Sequence, residues 1–226
     1  MPFLIEETYE VLEALEAESP DDVRSELGDL LLQILLHAEM ASERGEFDVA
    51  DVIEAVRSKM VRRHPHVFGN LTVTGADEVL ENWSAIKAAE RRAARKDTSA
   101  LAGVPAALPA LLRAERLGEK ASRVGFDWAD SRAVVCKVQE ELSELDQALA
   151  SGAAAEIEGE LGDCLFALAS LGRKAGLSAE LALMRALDRF VRRFRDVEAE
   201  LERAGRSIRD ASLEEMEALW QEAKRR

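Results

Sequence analysis

Aromatic residues are scarce in this chain of 226 residues, at 5%, with three Trp and one Tyr. So few large flat side chains argue against a strand-rich sandwich or barrel, and the abundance of Ala, Leu and Glu favours helices. Cysteine is nearly absent as well. Cys136 and Cys164 both stand in apolar helical contexts with no paired-cysteine motif, which predicts two buried thiols in a reducing compartment. No apolar run approaches the ~18 residues of a membrane span, and no signal peptide opens the chain, so the expected location is the cytoplasm, away from any membrane. Positive charge is in deficit, with 30 Lys and Arg against 44 Asp and Glu and a net charge of −14. Such a surface repels a nucleic acid backbone unless its cations are segregated. The basic clusters Arg91-Arg92 and Arg225-Arg226 are too short for that, so no nucleic acid partner is expected. Several catalytic signatures are missing too. There is no Gly-x-x-x-x-Gly-Lys-Ser/Thr loop and no nucleophile elbow. Glu-x-x-His, the mark of a carboxylate-bridged di-iron bundle, is absent, because Ile34, Val61 and Arg63 stand three residues before the histidines.

What the chain does have is a carboxylate pattern that occurs twice. Glu6-Glu7-x-x-Glu10 is followed by Glu26-Leu27-Gly28-Asp29, and Glu140-Glu141-x-x-Glu144 by Glu160-Leu161-Gly162-Asp163. Each member of the second set lies 134 residues beyond its counterpart (140 − 6, 144 − 10, 160 − 26, 163 − 29). The duplication extends to the cations, since Lys59-Met60-Val61-Arg62-Arg63 aligns with Arg189-Phe190-Val191-Arg192-Arg193, and Trp83-x-x-x-Lys87 with Trp220-x-x-x-Lys224. Hydrophobic residues, at 47%, supply the core of one large or two small domains.

Helical periodicity runs through almost every segment. Helices are expected at about 3–18, from Ser19-Pro20-Asp21-Asp22 to Gly45, from Asp48 to Arg63 and from Thr74 to Lys96, with His64-Pro65-His66 as a break. A linker is expected at 97–107. Beyond it come a helix from about Pro109, one capped by Asp130 or Ser131 and ended by Gly152, one ending near Gly176, one from Ser178 to Arg203, and a last one opened by the capping box Ser212-Leu213-Glu214-Glu215. The expected fold is all-α, with two tandem bundle-like units at 1–96 and 108–226.

On a helix, residues three apart share a face, so Glu141 pairs with Glu144 and Glu160 with Asp163. The apolar stripe of the Glu141 helix reads Val138, Leu142, Leu145 and Leu149, with Glu141 about 60° away at its edge and Glu140 on the opposite side. Two antiparallel helices then bring four carboxylates to one point. Such a cluster takes up protons or a cation. Hard oxygen donors suit Mg²⁺ or Mn²⁺, and Mg²⁺ keeps waters and shares phosphate-bearing substrates. Arg189 and Arg193, one turn apart, and Lys224 could hold phosphate oxygens. Against this stands the ordinary fate of acidic helix pairs and Arg pairs, which is a solvated surface, and of Trp83 and Trp220, which is to anchor a core or interface. Repetition at one spacing is what raises the acids above that background.

These residues resemble the MazG family of all-α nucleoside triphosphate pyrophosphatases, whose hallmark is Glu-Glu-x-x-Glu followed by Glu-x-x-Asp. Leu4 to Leu15, Ser25 to Leu32, Arg62 to Phe68 and Val124 to Trp128 are similar as well. The resemblance implies Mg²⁺-dependent hydrolysis of (d)NTPs to (d)NMP and pyrophosphate with broad base tolerance, a homodimer and a nucleotide-pool housekeeping role. It implies metal ligands at Glu141, Glu144, Glu160 and Asp163, and nucleotide contacts at Arg189, Arg193, Trp220 and Lys224. The corresponding first-copy positions are Glu7, Glu10, Glu26, Asp29, Lys59, Arg63, Trp83 and Lys87. Family members usually begin with a segment containing Cys-Pro-Trp-Asp ahead of the first acidic helix, and this sequence has none. The first copy should be weakened by that loss of apolar area, leaving the second copy, with its intact Gly125-Phe126-Asp127-Trp128, as the expected active one. A catalytically inactive dimerisation or regulatory protein, and a narrow-range dUTP or dCTP hydrolase, are the competing readings.

Overall fold

Local capping chemistry sets most of the helix boundaries. In the computed structural model, which describes residues 2–93 and 97–225, ten α-helices and one short 3₁₀ turn follow one another, with no strand among the described residues. Contacts divide the chain into two compact units, Met1–Lys96 and Asp97–Arg226.

The first unit holds α1 (Pro2–Glu16), α2 (Pro20–Glu43), α3 (Val49–Arg63), α4 (Pro65–Phe68) and α5 (Ala76–Ala93). The Ser19 side chain accepts a hydrogen bond from Asp22 N–H at the start of α2, with Pro20 at the first helical position. Asp48 and Asp51 form a reciprocal capping box at α3. Pro65 stops α3 at Arg63, as the His64-Pro65-His66 break predicts, and opens α4. The expected continuation of α5 to Lys96 lies outside the described residues.

The second unit holds α6 (Ala110–Ser122), α7 (Ser131–Ser151), α8 (Ala154–Lys174), α9 (Ala179–Arg203), the 3₁₀ turn Ile208–Asp210 and α10 (Leu213–Ala223). Helix α7 packs along α8, α8 also packs on α6, and α9 lies chiefly against α10 and α6. Asp130 caps α7 by accepting from Ala133 N–H at 2.8 Å. The capping box expected at α10 is half formed. Ser212 accepts from Glu215 N–H, but the Glu215 carboxylate pairs with Arg206 instead of returning to the cap.

Both acidic hairpins turn through the same backbone conformation. Gly152, between α7 and α8, has φ 73°, and Glu18, its counterpart between α1 and α2, has φ 54°. The left-handed region costs a side-chain-bearing residue roughly 1 kcal/mol or more. Glu18→Gly should therefore stabilise the first unit by up to about 1 kcal/mol, read as a higher urea midpoint; an unchanged or lower midpoint would mean that the turn carries no such strain.

The cores are built from small residues. Val11, Ala14, Ala38 and Ala41 are buried in the first unit, and Val134, Ala148, Cys164, Ala167, Ala169, Val197 and Leu201 are among those buried in the second. Small side chains let helices approach closely. Many of the larger apolar residues are left outside. On α7 the buried line is Val134, Glu141 and Ala148, whereas Leu142 and Leu149 of the expected stripe are 53% and 57% exposed. Val138 and Leu145 of that stripe are half-buried and share the inward face with Glu141, so α7 is rotated toward its Val138–Leu145 side and away from Leu142 and Leu149. Cys136 is exposed by the same rotation, so only Cys164 is the buried thiol that the sequence suggested for both.

Candidate metal centre

In the second unit α7 and α8 carry the acids as one helical hairpin. Glu141, Glu144 and Glu160 each offer a carboxylate oxygen, and these oxygens lie within 4.8 Å of one another. Glu141 is 6% exposed, while Glu144 lies toward solvent. Asp163, the fourth expected acid, is exposed and lies outside this group. Glu140 is exposed and pairs with Lys137, the role left to it by its place on the helix. The Lys137 ammonium also reaches Glu141, with Nζ 2.7 Å from an oxygen of each acid.

The electrostatics of the group are those of crowded negative charge. The Glu144 carboxyl is pushed up from the ordinary glutamate range, first by partial desolvation and then by the charge of Glu141, with Lys137 opposing. Cys164, buried beside the group, has its thiol pushed up by burial and by the charges of Glu141, Glu160 and Asp163. A raised thiol pKa makes it a poor nucleophile.

In the first unit Glu7, Glu26 and Asp29 bring carboxylate oxygens within 4.8 Å. Glu10 is not of that group but lines an open cleft of about 400 Å³ together with Glu13, Asp22 and Glu26. Glu7 and Glu26 are both pushed up, in each case by desolvation first and the charge of Glu10 next. Gln33 donates to Glu7 at 3.4 Å and opposes the shift. The two clusters share their equivalent pair, Glu7 with Glu26 and Glu141 with Glu160, and differ in the third member. All the donors are hard oxygens in excess of the local positive charge, a set that fits a small divalent cation.

The expected cations behave differently in the two units. In the first, Arg63 lies 2.6 Å from Glu90 and 5.6 Å from the centre of the Trp83 ring, and Lys87 lies 4.6 Å from that ring centre. Trp83 thus serves as a cation platform. Lys59 is exposed. In the second unit the half-buried Trp220 meets Phe190 at 5.1 Å, and Phe190 stacks on Phe194 at 6.0 Å, so this Trp belongs to an aromatic cluster. Arg189 and Lys224 are exposed and Arg193 is half-buried. Among the described residues no hydrogen bond or ion pair joins Arg189, Arg193 or Lys224 to Glu141, Glu144, Glu160 or Asp163.

Sequence reasoning missed two polar partners of the clusters, Lys137 and Gln33. Lys137 was within reach of it, because it stands four residues before Glu141, a spacing that pairs charges on a helix. Also missed was the clasp in which Asp127 of the lead-in segment takes Arg173 at 2.5 Å and Lys174 at 2.7 Å, both at the end of α8.

The family model of the MazG nucleotide pyrophosphohydrolase domain matches residues 1–68 and again residues 130–198. The chain belongs to the MazG family. Both matched stretches contain an acidic hairpin and the basic run that follows it, Lys59 to Arg63 or Arg189 to Arg193; Trp83, Lys87, Trp220 and Lys224 lie outside them. Among relatives of this MazG chain, an Escherichia coli nucleoside triphosphate pyrophosphohydrolase is 45% identical over 226 residues, covering 99% of this chain and 86% of the relative. A Thermotoga maritima nucleoside triphosphate pyrophosphohydrolase/pyrophosphatase MazG is 40% identical over 223 residues, covering 99% and 84%. An uncharacterized Bacillus subtilis protein, YabN, is 43% identical over 224 residues, which cover 98% of this chain but 45% of the relative.

Proposed function

We propose that this MazG chain hydrolyses nucleoside triphosphates to the monophosphate and pyrophosphate with Mg²⁺, that it accepts many bases, and that it serves to clear the nucleotide pool. It is a hydrolase of phosphoanhydride bonds in nucleoside triphosphates, and the second unit is its working site. The observation that carries this reading is the convergence of Glu141, Glu144 and Glu160, with oxygens within 4.8 Å, in a family of nucleotide pyrophosphohydrolases.

Glu141, Glu144 and Glu160 would hold the cation, with Asp163 supporting from the same face of α8. Bound there, Mg²⁺ (or Mn²⁺ in its place) neutralises charge that develops on the phosphoryl oxygens. The chain's own groups do the rest. Glu144, the solvent-facing acid of the three, would be placed to take the proton of an attacking water. Arg189, Arg193 and Lys224 would bind triphosphate oxygens, the guanidinium groups through paired hydrogen bonds. Trp220, with Phe190 beside it, would present a flat apolar wall to base or ribose. Contact with a ring face distinguishes bases poorly, which accords with wide tolerance. The first-unit set of Glu7, Glu10, Glu26 and Asp29 with Lys59, Arg63, Trp83 and Lys87 is a second possible site.

The test is pyrophosphate release across a panel of NTPs and dNTPs. Stripping divalent cations with a chelator should abolish it, and Mg²⁺ should restore it, with Mn²⁺ as a working substitute. Turnover undiminished in excess chelator would overturn the reading. A homodimer is expected as well, since Val135, Leu142 and Leu149 recur at seven-residue spacing on α7 and are 38%, 53% and 57% exposed. Light scattering should give twice the 24.9 kDa chain mass, and a monomer at micromolar concentration would exclude it.

A further inference from the structure

The two acidic hairpins are copies, but their countercharges are not. In the second unit Lys137 places its ammonium 2.7 Å from Glu141, a cluster carboxylate with only 6% of its surface exposed. Its counterpart in the first unit, 134 residues earlier, is Phe3, which carries no charge and is 62% exposed (137 − 3 = 134). There the equivalent acid, Glu7, takes the neutral amide of Gln33 and, among the described residues, no ammonium or guanidinium; the counterpart of Gln33 in the second unit is the buried Ala167. One cluster therefore carries a built-in cation, and the other a neutral donor.

We propose that Lys137 is a positioning residue that competes with the divalent cation for Glu141, so that the second cluster holds the ion more loosely than the first. The inference rests on the metal-binding reading of the acids given above. Its physical basis is direct. A cation entering among Glu141, Glu144 and Glu160 meets an ammonium in contact with the same carboxylate, and must either share that oxygen's charge or displace Lys137 toward solvent. With the ammonium swung out about 6 Å into solvent, where the dielectric approaches that of water, the repulsion remaining between the monovalent and divalent cations lowers affinity on the order of tenfold. Lys137 is also 34% exposed and bound to Glu140 on its outer side, so it has a place to go when Glu141 is taken. In the first cluster, among the described residues, no ammonium has to be displaced from Glu7, whose neutral donor is the amide of Gln33.

Titrating the full-length protein with Mn²⁺ alone, and reading free Mn²⁺ by electron paramagnetic resonance, tests this without turnover. Two classes of site are expected. Glu26→Gln should remove the tighter class and Glu160→Gln the weaker. Lys137→Gln should tighten the weaker class about tenfold while leaving the other unchanged, and Lys137→Arg, which keeps the charge, should leave both near their original affinities. If Glu160→Gln removes a site but Lys137→Gln does not tighten it, the competition is overturned and the metal reading survives. If Glu160→Gln removes no site, the metal reading of that cluster fails and this inference fails with it. A circular dichroism melt of each variant separates either result from misfolding.

Discussion

Glu160→Gln should reduce pyrophosphate release from dNTPs by on the order of 10²–10³-fold. The substitution keeps the shape of the side chain and removes its charge, so the effect isolates electrostatics. The oxygens of Glu160 lie within 4.8 Å of those of Glu141 and Glu144, and its own helix α8 is fixed to α7 by the Gly152 turn. If the three acids hold the cation, losing one anionic ligand loosens and misplaces the ion that would offset charge at the reacting phosphate, at a cost of several kcal/mol, which corresponds to that loss of rate. The folded protein should not suffer. Without a metal the three acids repel one another, and removing one charge relieves that repulsion, so the variant should melt at the same or a higher temperature in chelator. Glu26→Gln, the equivalent change in the first unit, should leave most of the activity. Full activity in Glu160→Gln, or a large loss in Glu26→Gln alone, would move the working site to the first unit.

Asp127→Asn should cost about 2 kcal/mol of stability in the second unit near neutral pH, and the difference should fade as the solution is acidified. Asp127 precedes α7, yet its carboxylate is bound by Arg173 and Lys174 at the far end of α8, with only 19% of the side chain exposed. The Arg173 hydrogen bonds, chiefly, hold its carboxyl down at about 2, against an ordinary value of 3.8, while burial works the other way. A carboxyl depressed in the folded state stabilises that state above its unfolded pKa. The contribution is therefore complete above about pH 4 and disappears as pH falls toward 2. Urea titrations of wild type and variant at pH 7 should show separated midpoints, and titrations near pH 2.5 should show them drawing together. Midpoints equally separated at both pH values would mean that the ion pairs do not carry the effect. Glu90 in the first unit, also held at about 2, by Arg63 first and then Arg62, should weaken that unit over a similar acid range.

Much of this architecture was legible in the sequence, and the reason is that caps and turns are local chemistry. Ser19, Asp48 and Asp130 each cap the helix they were expected to cap, because a side-chain oxygen meets an N–H three residues on whatever the tertiary context. The pairing of Glu141 with Glu160 followed from spacing and from one antiparallel turn. What spacing could not give was rotation about the helix axis. Glu141 lies at the edge of a leucine stripe on the wheel, but the structure buries it in line with Val134 and Ala148 and leaves Leu142 outside. A wheel shows where the apolar residues are, not which of two neighbouring stripes the same chain will cover. The same rotation exposes Cys136. Asp163 stands apart from the closest group although its counterpart Asp29 joins the first-unit group, so side-chain length does not decide membership and spacing alone could not tell the two hairpins apart. The half-formed capping box at Ser212 failed because Arg206, nine residues before Glu215, offers that carboxylate a charged partner, which a neutral backbone N–H does not match.

The turn at Gly152, matched by that at Glu18, has a consequence for how such a centre arises. Every carboxylate of a cluster comes from a single pair of consecutive helices, so its assembly needs no closure of a long loop and depends on contacts near in sequence. A segment of this kind carries all the donors of its cluster. It can be copied within a gene, and each copy arrives with its donors already in register, free to diverge at single flanking positions while the backbone that gathers the acids stays unchanged.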